Sequence, residues 1–361
     1  MELSNKQKEI VYSNAENVLV IAAAAAGKTR VITERVRYLL QHGIKSNEIV
    51  LITFTNMAAE EMSKRIGMHQ GMYIGTFHGY VNQLLKRIGI DTNSCIANEE
   101  YDELFELGFE HPQCAKPIKY LLIDEAQDLS EIQFQFVFDI LKPQHFFIVG
   151  DARQSIYGFR GSRPDLLLSL KQREDTTTYD LNENYRNGKI ILKFAKRIID
   201  KVGLQYEDNS INMNPVFSKV IENDYSKELV YDIIFQNTKD NYKDWFILSR
   251  YNEFSDECFD YLTKKGIPCE LFTREDMNNE NLKTSLRNNT VKIMTIHAAK
   301  GLESKNVIVI GTKFWCDEER RISYVAATRA KETLYWLKEN KVPFAKKKQQ
   351  TKNKIKMSSW E

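Results

Sequence analysis

Short, uninterrupted apolar runs that alternate with amphipathic stretches constrain this chain most. Val18-Leu19-Val20-Ile21, Ile49-Val50-Leu51-Ile52, Tyr120-Leu121-Leu122-Ile123 and Phe146-Phe147-Ile148-Val149 each read as a strand. None alternates apolar with charged residues, so both faces of each strand must be covered. Between the first two, Arg30 to Gln41 sets Ile32, Val36, Leu39 and Leu40 on one helical face, and Met57 to Ile66 reads as the next helix. Buried strands separated by helices predict a parallel sheet packed on both sides. The pattern returns with Trp245-Phe246-Ile247-Leu248, Val291-Lys292-Ile293-Met294 and Val307-Ile308-Val309-Ile310, with helical stretches such as Ser255 to Lys265 between them.

The expected fold class is therefore α/β, with two domains that each hold a parallel sheet flanked by helices. The boundaries are expected at 1–179 and 180–342, followed by a basic tail over 343–361. Leu84 to Lys119 contains no clear sheet strand and reads as a small helical insertion. The Lys-rich run from Lys346 to Lys356 reads as a solvated end, with contact to DNA as the sharper alternative.

A chain of 361 residues, 42% hydrophobic, is long enough for two cores. Lys and Arg number 51 against 49 Asp and Glu, so bulk charge does not mark a nucleic-acid binder and any such track must be local. Cys95, Cys114, Cys258, Cys269 and Cys316 form no CxxC pair and no metal-ligand spacing, which predicts free buried thiols in a reducing compartment. The start, Met1-Glu2-Leu3-Ser4-Asn5-Lys6, lacks a signal-peptide pattern. The longest apolar run, Val18 to Ala26, is far short of the ~20 residues that cross a bilayer. A soluble, cytoplasmic protein with no membrane partner is the expectation.

Gly27-Lys28-Thr29 lies between an apolar strand and an amphipathic helix. A loop in that position can aim backbone N–H groups at phosphate oxygens, and the helix adds its positive end. Lys28 would bridge terminal phosphates and Thr29 would hold Mg²⁺. The general signature carries Gly six residues before the lysine; here that residue is Ala22, and Ala23, Ala24, Ala25 and Ala26 follow. A methyl group at a position needing positive φ costs roughly a kcal/mol or more, so a loop that adapts and a weak ATP site are both open. Asp124-Glu125-Ala126-Gln127-Asp128 follows the strand ending at Ile123. Carboxylates at that end of a parallel strand face the ligand crevice; Asp124 suits a metal shell and Glu125 the base that orients an attacking water.

Taken in order, these segments resemble the UvrD/Rep family of superfamily 1 helicases. The resemblance spans most of the chain. It runs through Leu3 to Gln7, Thr53 to Ala59, Gly75 to Gly79, Ile123 to Asp128, Val149 to Gly161, Asn184-Tyr185-Arg186, Thr295 to Glu303 and Tyr324 to Ala330. It implies two RecA-like motor domains, ATP with Mg²⁺ as cofactors, and a DNA-dependent ATPase that tracks along single-stranded DNA with 3′→5′ polarity. By resemblance, Gln7 and Tyr185 hold adenine, Arg30 flanks the base, and Glu303 meets the ribose or nearby phosphates. Ala24, Ala25 and Ala26 with Gly27, Lys28 and Thr29 form the phosphate loop. Gln154, Arg186 and Arg329 sense the γ-phosphate, the two arginines reaching it from the second domain when the cleft closes. Phe54, Tyr157 and Phe159 are candidates to stack on bases, while Thr55, Thr76, His78, Arg160 and His297 contact the DNA backbone. The first insertion of larger relatives is reduced here and the second essentially lost, and Ser304 stands where relatives carry an aromatic or apolar residue.

Two further readings stay open: a nucleotide-gated DNA-binding module with weak hydrolysis, and a motor subunit working beside a nuclease or another repair partner. Single-stranded or tailed duplex DNA is the expected track.

Overall fold

The computed structural model describes residues 2–67, 69–203, 209–273 and 285–339. The Lys346–Lys356 run lies outside them. The first sheet holds β1 (Asn17–Ala22), β2 (Ile49–Thr53), β3 (Tyr73–Thr76), β4 (Tyr120–Ile123), β5 (His145–Gly150) and β6 (Thr176–Leu181). All are parallel, in the order β3-β2-β4-β5-β1-β6. A two-residue parallel pair, β7 (Glu183–Asn184) and β8 (Ile211–Asn212), lies beyond it. The second sheet holds β9 (Lys219–Asp224), β10 (Trp245–Ser249), β11 (Cys269–Phe272), β12 (Val291–Thr295), β13 (Ser304–Ile310) and β14 (Ala330–Lys338). It too is all parallel, in the order β11-β12-β10-β13-β14-β9.

Each strand expected from a continuous apolar run is present. Every residue of β1, β2 and β10 is buried, because helices cover both faces. The helix Lys28–Gln41 buries Val31, Ile32, Val36 and Leu39 on one such face. Edge strands carry weaker apolar signals: β6 reads Thr-Thr-Thr-Tyr-Asp-Leu and is mostly half-buried, and β9 is largely exposed. β6 pairs with β1 from Asn17↔Thr176 to Ala22↔Leu181. The first sheet therefore runs to Leu181, past the boundary expected at 179, because the chain leaves this domain only after completing the strand beside the phosphate loop.

Leu84 to Arg87 are the last turn of a core helix, Phe77–Arg87, so the insertion proper starts later than expected. Its helices Asn93–Ala97 and Tyr101–Glu110 pack back through Phe105, whose ring meets Phe77 edge-on at 5.0 Å and Phe136 at 5.4 Å. Cys95, Cys114 and Cys258 are buried as expected, whereas Cys269 and Cys316 are only partly so, and all five are free thiols. Among the described residues no helix is long and apolar enough to cross a membrane.

Leu122 is fully buried on β4, between β2 and β5. Truncation there removes a core side chain that neighbours cannot replace. Leu122→Ala is expected to cost about 2–5 kcal/mol of first-domain stability, read as a lower midpoint in urea unfolding.

Candidate nucleotide cleft and nucleic-acid track

β4, β5 and β1 are neighbours in the first sheet, so the loops leaving their carboxyl ends converge. These loops carry Ala23–Gly27, Asp124–Asp128 and Asp151–Ile156, and they build the cleft where an open parallel sheet binds ligands.

The alanine loop is held through its carbonyls. Ala22 O accepts from Arg153 Nη2 at 3.2 Å, Ala24 O from Asn184 Nδ2 at 2.9 Å, Ala25 O from Tyr185 N at 3.2 Å and Ala26 O from Gln7 Nε2 at 3.1 Å. Ala22, Ala23, Ala24 and Ala26 are fully buried, so their methyl groups pack as core. Ala24 belongs to the apolar cluster of the second domain, together with Ile156. Ala25 has φ +58°, left-handed backbone that a methyl side chain disfavours. The loop thus adopts the conformation a glycine would take, at a backbone cost near a kcal/mol. Gly27 has φ +85°, and a Cβ there would lie 2.8 Å from Gln7 Nε2.

Lys28 is buried at the start of the next helix, its Nζ 3.2 Å from Glu125 Oε2. Thr29 Oγ1 lies 3.4 Å from Asp124 Oδ2. Asp124 is buried and its neighbour Glu125 partly so, and their environments drive them apart. Burial, then the Glu125 charge, pushes the Asp124 carboxyl up. Burial acts on Glu125 in the same sense, but Lys28 and Lys300 outweigh it and hold Glu125 ionised. Glu125 also has left-handed backbone, φ +53°, the strained geometry that collects at functional sites. A hydroxyl and a carboxylate oxygen converging beside a phosphate loop are the hard-oxygen donors that suit Mg²⁺.

The second domain meets this site with the opposite edge of its sheet. Glu303 directly precedes β13 and Arg329 directly precedes β14, and the two amino ends are joined by Ser304 N donating to Arg329 O at 3.0 Å. Arg329 is 2% exposed, and its Nη2 lies 3.4 Å from Gln154 Oε1. Gln154 Nε2 donates to Asp151 Oδ2 at 2.7 Å. Burial, then the neighbouring Arg186 charge, pushes Arg329 down to about 9, so it remains a buried cation at neutral pH. Arg186 pairs with Glu303 and donates to Thr328 O at 3.3 Å. Glu303 also pairs with Lys331 at 2.6 Å. Gln154 and Arg329 are in contact across the cleft in this arrangement, whereas Arg186 is held on its own domain.

On the expected adenine side, Gln7 is buried with both ends of its amide engaged: Oε1 accepts from Ser4 N at 3.1 Å, and Nε2 reaches Ala26 O. Tyr185 is 39% exposed, its hydroxyl donates to Glu183 Oε2 at 2.7 Å, and burial, then that bond, raises its pKa. It presents an open ring beside the loop.

The expected DNA contacts divide. Phe54 and Tyr157 stack at 4.8 Å with 22° between planes, Phe159 is 65% exposed, and His297 lies 5.6 Å from Phe159. Arg160 sits over both Tyr157 and Phe159. These five residues form one aromatic and basic rim drawn from both domains. Thr55 and Thr76 cap helices, their hydroxyls accepting from Ala58 N and Gly79 N at 3.2 Å each; each O–H is left to donate, at a helix amino end of the kind that favours phosphate. His78 is partly buried. It contacts Gln133 Nε2 at 3.1 Å, and Tyr101 and Phe105 of the insertion roof it. Burial lowers its pKa.

Lys300 and Asp128 sat within recognised segments but carried no assigned role, and Arg321 and Arg250 lay outside every segment. Arg321 gave no signal beyond a charge in an amphipathic helix, and only its partner, Ser155 O at 2.9 Å, identifies it.

The chain matches the UvrD/REP helicase N-terminal domain over residues 3–107 and 110–175, and the UvrD-like helicase C-terminal domain over residues 270–341. A probable DNA helicase II homologue of Mycoplasma capricolum is 25% identical, over 74% of this chain and 52% of its own length. The ATP-dependent DNA helicase Rep of Escherichia coli is 26% identical, over 75% of this chain and 55% of its own. A probable DNA helicase of Mycoplasma pneumoniae is 24% identical, over 92% of this chain and 82% of its own. This chain spans about half the length of the first two. With two parallel-sheet domains, a phosphate loop in the first, and both family domains matched in chain order, the chain belongs to the UvrD/Rep helicase family.

Proposed function

We propose that this chain is an ATP-driven motor that translocates on single-stranded DNA, with 3′→5′ polarity. One observation carries the reading: Arg329 of the second domain meets Gln154 of the first beside Lys28 and Glu125, and the same segment continues from Gln154 into the Tyr157–Phe159 rim. ATP would lie with its phosphates on the Ala23–Lys28 loop and its base against Tyr185. Thr29 and Asp124 would hold Mg²⁺, which would supply positive charge to offset that of the phosphates. Glu125 orients the attacking water, and Arg329 steadies the charge that develops on the γ-phosphate. Lys28 must exchange Glu125 for phosphate oxygens when nucleotide enters. Exposed aromatic faces suit bases of any sequence, at about 1–3 kcal/mol per base. Unaided strand separation is less well supported than translocation, because the insertion after Arg87 is short. A nuclease or repair partner that helps to open duplex fits that economy.

The weak-hydrolysis reading rests on the alanine loop. Ala25 already occupies the left-handed conformation, and four loop carbonyls are satisfied. That favours turnover over mere gating.

ATP turnover of the purified chain is expected to rise at least tenfold with saturating single-stranded DNA; a flat response would sink the motor reading. Arg329→Ala should reduce turnover by about 10³-fold, the scale of a γ-phosphate arginine, while nucleotide affinity in a binding assay changes little. Retained turnover would remove Arg329 from the chemistry. Ala25→Gly should alter turnover by no more than about fivefold, since about a kcal/mol of backbone cost is all it relieves; a gain well beyond tenfold would favour the weak-hydrolysis reading.

A further inference from the structure

Three successive main-chain carbonyls of the first domain are gripped from the second. Gln154 O accepts from Lys300 Nζ at 2.9 Å, Ser155 O from Arg321 Nε at 2.9 Å, and Ile156 O from His297 Nε2 at 3.2 Å. A carbonyl can only accept, so the His297 ring must donate from Nε2. That ring is neutral: burial, then the Arg250 charge, lowers it to about 4.

Lys300 does more than hold Gln154. Its ammonium pairs with Asp128, which is fully buried in the acidic segment of the first domain, and it lies 4.9 Å from the centre of the Tyr157 ring. Asp128 Oδ2 accepts from Gln127 Nε2 at 3.5 Å, and the same nitrogen donates to Glu125 Oε2 at 2.5 Å. Gln127 is pinned from its other end, where Oε1 accepts from Asp151 N at 2.9 Å. A connected path therefore runs from the Tyr157 ring through Lys300, Asp128 and Gln127 to Glu125.

The path begins at a surface that DNA would disturb. Phe54 and Tyr157 are stacked on one another, so a base that claims either ring competes with that stack and shifts Tyr157. Lys300 rests on that ring and is only 10% exposed, so little water can screen it from a change there. Buried ion pairs add little net stability but fix register, because removing one partner strands the other charge. Here the stranded charge would be Asp128, close enough to act on Glu125: burial, opposed by Lys300, already leaves Asp128 raised to about 6.

We infer that Lys300 is the positioning residue that transmits DNA occupancy of the aromatic rim to the acidic segment, with Arg321 and His297 holding the connecting carbonyls in register. The inference rests on the motor reading above and goes beyond it by naming the route of coupling.

The test measures steady-state ATP turnover of the full chain, with and without saturating oligothymidylate, and oligothymidylate affinity by fluorescence anisotropy. Lys300→Met keeps the aliphatic stem over Tyr157 and removes the charge. The ratio of DNA-stimulated to DNA-free turnover is expected to fall at least tenfold, with oligothymidylate Kd within threefold of wild type. Asp128→Asn should show the same loss, and the double variant should be no worse than either single, since both act on one path. Should Lys300→Met fail to fold, the two rates of Asp128→Asn decide alone. Equal proportional loss in both rates marks a purely structural pair and overturns the inference, as does stimulation kept within twofold. A wild-type chain that DNA does not stimulate overturns the motor reading itself.

Discussion

The carbonyls of Gln154, Ser155 and Ile156, held by Lys300, Arg321 and His297, are the contact on which the arrangement of the two domains depends. Ile156 is fully buried in the apolar cluster of the second domain, as is Ala24 from the phosphate loop. The two domains therefore share packing where a ligand cleft also lies. The donors are side chains of the second domain, while the acceptors belong to the first domain's backbone. Main-chain acceptors from consecutive residues cannot move independently, so displacement of one shifts its neighbours.

That contact has consequences because of how the sheets face each other. The first domain offers the carboxyl ends of β1, β4 and β5, and the second offers the amino ends of β13 and β14. Two connectors cross between the nucleotide edge and the rim. One runs from Gln154 to Phe159 after β5, and the other from His297 to Glu303 between β12 and β13. They touch along their length, with Gln154 and Glu303 at the nucleotide end and Phe159 and His297 at the other. For the proposed motor, this is a physical basis for linking hydrolysis at one end to movement of DNA at the other.

The sheet cores were legible because continuous apolar runs leave few alternatives: β4 coincides with its expected run, and β1, β2, β5, β10, β12 and β13 extend theirs by one to three residues. The edge strands were not, because β3, β6 and β9 cover only part of their surface and need no continuous apolar run. β14 was hidden for another reason: its apolar half, Leu334 to Leu337, follows charged residues and an arginine segment that draws attention to function. At the site, the identities of Lys28, Asp124, Glu125, Gln154 and Arg329 were readable from their segments, and the structure brings these residues together. What each touches was not readable. Tyr101 and Phe105 of the insertion pack on His78, and the hydroxyls of Thr55 and Thr76 accept from helix amino ends. Arg321 could not be found at all without its partner, because a main-chain acceptor leaves no trace in sequence.

The central claim is that nucleotide and DNA sites act on each other through these connectors. Thermodynamic linkage tests it directly, because a coupling free energy must be reciprocal. Affinity for a non-hydrolysable ATP analogue should be measured with and without saturating oligothymidylate, and affinity for oligothymidylate with and without saturating analogue. The account predicts that the two affinities shift by the same factor, of about fivefold or more. Two affinities that ignore one another would contradict it.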